Sequence, residues 1–142
     1  MTESLWLQNT ETVLDQLGRL RSMGIAIALD DFGTGYSSLA YLWKFPFDKV
    51  KVDRSFVSQM ELDPKAAAIV HTVVALGRTL DLTVTAEGVE TLAQTEALKD
   101  AGCGEGQGYL FGRPVSAAAA IELIDSGNSI GGCSPADRPA AK

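Results

Sequence analysis

Ile25-Ala26-Ile27-Ala28-Leu29-Asp30-Asp31-Phe32-Gly33-Thr34-Gly35-Tyr36 runs from an apolar stretch straight into a pair of carboxylates. The apolar part, bounded by Gly24, reads as a buried parallel strand from Ile25 to Leu29 that opens at Asp30. Two adjacent carboxylates at a strand exit repel each other, and a cation between them relieves the repulsion. Hard divalent ions such as Mg²⁺ or Mn²⁺ take oxygen ligands, and a two-ion site suits phosphodiester hydrolysis. An Asp-rich turn that caps a helix would use the same residues.

The rest of the chain reads as alternating helices and strands. A helix from Asn9 or Thr10 to about Met23 puts Val13, Leu14, Leu17 and Leu20 on one face. A short helix from Ser37 ends near Lys44, before Pro46. Lys49 to Asp53 alternates like a strand, and Pro64 starts a long apolar helix through Leu80. Leu82 to Ala86 is a third strand, followed by a helix from Thr91 or Leu92 to about Ala101. Gly106 to Phe111 is a Gly-rich fourth strand, and a last helix covers Ser116 to Ser126. Residues 2–126 thus form the folded part, and residues 127–142, rich in Gly, Ser, Pro and Ala, read as a disordered tail.

Such alternation means an α/β fold with four parallel βα units, in either a doubly wound sheet or a barrel. In both, ligands bind at the carboxyl ends of the strands. Asp30-Asp31, Lys51-Asp53, Glu87 and Gln107 all stand at or just after a strand, so four loops converge on one mouth. That convergence weighs against a simple Asp turn. Asp30 and Asp31 are candidate metal ligands, and Glu87 adds a third oxygen donor. Lys51 either orients a water and neutralises a phosphoryl oxygen or points to solvent. Gln107 is a weaker candidate for holding a ligand or water. Asp53-Arg54 reads as a structural pair, and His71 as a structural or exposed residue of its helix.

Composition narrows the partners. A net charge of -6 over 142 residues argues against a surface for a nucleic-acid polymer. Cys103 and Cys133 lack metal-ligand spacing and suit a reducing compartment. No apolar run approaches the roughly 20 residues of a membrane span. Thr2-Glu3 after Met1 lacks the basic start of a signal peptide. A cytoplasmic location is the expectation, with any membrane tether lying in other domains of a parent protein.

Together these segments resemble the EAL-domain family of bacterial cyclic di-GMP phosphodiesterases. The resemblance rests on Ile27 to Leu39, Lys49 to Val57, Ala86-Glu87-Gly88-Val89-Glu90-Thr91, Gly102-Cys103 and Gln107-Gly108-Tyr109-Leu110-Phe111, and it covers about residues 2 to 122. It implies the C-terminal half of a (βα)₈ TIM-like barrel and hydrolysis of cyclic di-GMP to pGpG in bacterial signal transduction. Two Mg²⁺ or Mn²⁺ ions per complete domain would be held in part by Asp30, Asp31 and Glu87, with Asp30 as the bridge. Lys51 and Gln107 would serve the attacking water, and Glu3 would anchor the loop Asp31–Ser38. That loop and the helix after it would form a homodimer contact in the complete protein.

The chain also departs from the family pattern. The Glu-Ala-Leu signature strand, the Asn ligand after it and a further Glu do not occur at matching places, so three ligands of one metal are not in this chain. Glu96-Ala97-Leu98 repeats the three letters on a helix and is not the signature. Hence the expectation is an enzyme family whose 142-residue chain is inactive alone. The alternative is a noncatalytic cyclic di-GMP receptor or protein-interaction module.

Overall fold

The computed structural model describes residues 10–34 and 39–125. Four strands, β1 (Ala28–Phe32), β2 (Lys49–Val52), β3 (Thr83–Glu87) and β4 (Glu105–Gln107), form one parallel sheet in the order β1-β2-β3-β4. The helices are α1 (Thr10–Ser22), α2 (Leu39–Lys44), α3 (Arg54–Gln59), α4 (Pro64–Thr79), α5 (Leu92–Asp100) and α6 (Ala117–Asp125). Each crossover steps to the next strand in the same direction, as in the wall of a barrel.

The two faces of the sheet differ because strand side chains alternate. Val50 and Val52 of β2, with Val84 and Ala86 of β3, are buried on one face. They pack with Val57 of α3, Val70, Val73 and Val74 of α4, and Val89 and Leu98. Each fully buried valine is worth about 2 kcal/mol of transfer free energy. Asp63 caps α4 by accepting from Lys65 N–H, and Pro64 follows at the first helical position. The opposite face of the sheet is polar: Lys49 and Lys51, then Thr83, Thr85 and Glu87, then Glu105 and Gln107.

Several boundaries differ from the sequence reading. The first strand runs from Ala28 to Phe32, so both aspartates lie inside it rather than at its exit. It is mostly exposed, with Phe32 its one buried residue, because it forms one edge of the sheet. The fourth strand spans Glu105–Gln107, not Gly106 to Phe111, and forms the other edge. Helix α3 was not expected. Asp53 does not pair with Arg54 but caps this helix, accepting from Ser55 N–H at 2.9 Å and from the Ser55 hydroxyl. Glu3, Gly35, Tyr36, Ser37, Ser38, Cys133 and the tail 127–142 lie outside the described residues.

Candidate metal centre

The site is assembled by register. Lys51 of β2 stands opposite Thr85 of β3, and Glu87 of β3 stands opposite Gln107 of β4. Residues two apart share a face, so Lys51, Glu87 and Gln107 rise from the polar face at the carboxyl end of the sheet. Alternation alone would send Asp30 and Asp31 to opposite faces. A β-bulge prevents this: Leu29 pairs with Val50 and Phe32 with Val52, three steps on β1 against two on β2. Asp31 is one of two non-glycine residues with positive φ, at 52°, among the described residues. Aspartate tolerates the left-handed region better than most residues. One oxygen each from Asp30, Asp31 and Glu87 then lie within 4.8 Å of one another.

Lys51 closes this group. Its Nζ lies 3.0 Å from Asp30 Oδ1 and also contacts Glu87 Oε1. The hydrogen bond to Glu87, then that to Asp30, holds the ammonium above the usual lysine range, against a smaller opposing effect of burial. The side chain is only 23% exposed and turns toward these carboxylates rather than out to solvent.

The loops after β3 and β4 are joined by backbone. Val89 N–H donates to Gln107 O, and Leu110 N–H donates to Val89 O, both at 3.0 Å. Gly108 permits this approach, since a Cβ there would sit 2.1 Å from Val89 O. Gln94, only 4% exposed, fixes the same loop by accepting from Glu90 N–H at 2.7 Å and Thr91 N–H at 3.1 Å. Arg54 pairs with Glu90 at 2.7 Å, and its stem covers Gly88, which has φ 70°. Arg54, Glu87, Glu90, Gln107 and Tyr109 line a shallow cavity of about 250 Å³ beside the carboxylates. A larger cavity, about 340 Å³, lies at the opposite end of the strands among Arg78, Asp81, Thr83 and Gly102 and holds none of these groups.

Sequence reasoning missed the Arg54–Glu90 pair and Gln94. Gln94 stands three residues after Thr91, and a capping box is the signal that would have found it. His71 is exposed on α4, and Ala97 and Leu98 of the Glu96-Ala97-Leu98 tripeptide pack into the core from α5.

A family model described as "EAL domain" matches residues 1–114. The chain belongs to the EAL domain family. It is 50% identical over 124 residues to the bifunctional diguanylate cyclase/cyclic di-GMP phosphodiesterase MucR of Pseudomonas aeruginosa, covering 87% of this chain and 18% of MucR. It is 44% identical to the cyclic di-GMP phosphodiesterase RocR of the same species, covering 81% of this chain and 29% of RocR. Among solved EAL structures, the Mycobacterium smegmatis DcpA domain superposes with a TM-score of 0.81 at 39% identity, covering 88% of this chain and 56% of that one. The Klebsiella pneumoniae BlrP1 complex with manganese and cyclic di-GMP gives 0.70 at 40% identity, covering 79% and 29%. The chain therefore spans less than a third of these curated relatives and about half of an isolated EAL domain. Its four βα units are that fraction of the family's (βα)₈ barrel. Among the described residues, no helix is long and apolar enough to cross a membrane.

Proposed function

We propose that the EAL domain to which this chain contributes is a metal-dependent phosphodiesterase that opens cyclic di-GMP to linear pGpG. The observation that carries this reading is the convergence of Asp30, Asp31, Glu87 and Lys51 at the carboxyl end of one sheet. An all-oxygen, acidic donor set suits a hard divalent cation, Mg²⁺ or Mn²⁺, and not a soft one. Asp30, Asp31 and Glu87 would hold it, as part of a two-ion site in the complete domain. When bound, such an ion supplies Lewis acidity and a more acidic water.

The chain's own residues take the other roles. Lys51, kept protonated, offers positive charge to the phosphoryl oxygen or orients the attacking water. Gln107 stands opposite Glu87 in register, and in this reading its side-chain amide would hydrogen-bond the ligand or the attacking water. Glu3 is proposed to anchor the segment Asp31–Ser38, which begins in strand β1. With three further ligands expected elsewhere in the family domain, the 142-residue chain is inactive alone, since groups acting as a unit lose most of the rate together. In the complete protein we also propose a homodimer contact through the loop after Asp31 and helix α2. That helix exposes Leu39 and Trp43, the latter at 89%.

The alternative reading is a noncatalytic cyclic di-GMP receptor or protein-interaction module, since the chain spans about half of an EAL domain and carries only part of the ligand set that a two-ion hydrolase needs. Incubating the complete protein with cyclic di-GMP and Mn²⁺ separates the two. Chromatography finds pGpG if the domain is a hydrolase and intact, bound cyclic di-GMP if it is a receptor.

A further inference from the structure

Strand β4 carries Gln107, yet it is three residues long and forms a sheet edge. The backbone tie from Val89 holds its exit. Its entry is held by a side-chain clamp one pleat below the carboxylates. Glu105 Oε2 accepts from Lys49 Nζ at 2.5 Å and from Thr85 Oγ1 at 2.8 Å. The clamp crosses three strands, since Lys49 lies on β2 and Thr85 on β3. Between the two ties stands Gly106, which has no side chain to anchor it.

Glu105 and Gln107 share a face, Glu105 opposite Thr85 and Gln107 opposite Glu87. A shift of Glu105 along or away from β3 therefore moves Gln107 relative to Glu87. We infer that Glu105 is a positioning residue: clamped by Lys49 and Thr85, it sets how near Gln107 lies to Glu87. This rests on the reading that Asp30, Asp31 and Glu87 hold a divalent cation, which makes that distance matter. A misplacement of about 1 Å costs roughly 100-fold in rate at such sites.

The test uses the 142-residue chain labelled with ¹⁵N and titrated with Mn²⁺, whose unpaired electrons broaden nearby resonances steeply with distance. The Gln107 side-chain amide is broadened in the wild type. At equal Mn²⁺ occupancy, measured by water-proton relaxation, Glu105→Ala loses much of that broadening and Glu105→Gln, which can still accept from both partners, retains it. Undiminished broadening in Glu105→Ala overturns the inference. Should the wild type take up no Mn²⁺, the metal reading fails, and the metal-free amide shift decides the positioning claim. A shift moved by Glu105→Ala and restored by Glu105→Gln supports it; an unmoved shift overturns it. If circular dichroism shows Glu105→Ala unfolded, Lys49→Met, which leaves the Thr85 bond, carries the same comparison.

Discussion

Asp30 and Lys51 meet across the β1–β2 pair, carboxylate oxygen to ammonium nitrogen at 3.0 Å, and the same ammonium contacts Glu87 on β3. One cation thus links three adjacent strands at the mouth of the sheet. Its removal leaves Asp30, Asp31 and Glu87 as three neighbouring negative charges. In the complete protein, Lys51→Met is expected to lower kcat more than it raises KM, because the proposed role lies in the reacting step. Steady-state kinetics checks this, and a defect confined to KM contradicts it.

The backbone at Asp31 gives a separate expectation. A β-branched residue tolerates φ of 52° poorly, whereas asparagine accepts it. Asp31→Val should therefore be about 1–2 kcal/mol less stable than Asp31→Asn. Urea unfolding of the two variants measures the difference. Equal stabilities would mean that the left-handed turn is not needed.

Gly108 is tested in the same way. A Cβ at this position would meet Val89 O at 2.1 Å and Val89 N at 2.3 Å, and backbone atoms cannot rotate away. Gly108→Ala is expected to cost about 1–3 kcal/mol, the usual range for overpacking, and to disturb the Gln107 and Val89 amides first. Hydrogen exchange at those amides is the measurement; protection equal to wild type contradicts the account.

Stability should also depend on pH through Glu105. Burial pushes its carboxyl up, but the hydrogen bonds from Lys49 and Thr85 outweigh this and hold it below the usual glutamate range. A carboxyl depressed in the folded state stabilises above its unfolded value, about 4.3, and that contribution is lost as pH falls through the folded value. Lys51 behaves oppositely: its contribution is present below about pH 10.4 and lost as pH rises through its raised folded value. Urea midpoints across pH should show Glu105→Gln with a flatter acid limb than wild type. An unchanged acid limb would show that the clamp contributes nothing.

The alternation of strands and helices was legible because βα units repeat a simple hydrophobic pattern, and the mouth of the sheet was legible because polar residues follow each apolar run. The bulge was not. Ending the first strand at Leu29 made Asp30-Asp31 look like an exit, and nothing in the letters says that the register shifts between Leu29 and Phe32. Helix α3 was hidden because Asp53 looked like a partner for Arg54 rather than a cap. Glu105 was passed over because a lone charge between Gly104 and Gly106 resembles a turn. Its spacing of two from Gln107, matching Lys49 to Lys51, was the available clue.

Among the described residues, β1 and β4 are the two edges of the sheet, each with one strand neighbour. Such edges favour association. The 142-residue chain is expected to form dimers or larger species by size exclusion with light scattering. A monodisperse monomer with a sharp two-state urea transition would show that four βα units suffice alone.

Everything proposed about chemistry depends on Asp30, Asp31 and Glu87 acting as one cation site, and Mn²⁺ titration followed by water-proton relaxation tests that most directly. Saturable binding is expected for the wild-type chain, and its loss in both Asp30→Asn and Glu87→Gln, each of which removes one negative charge from the group. Wild-type affinity retained in either variant would contradict it.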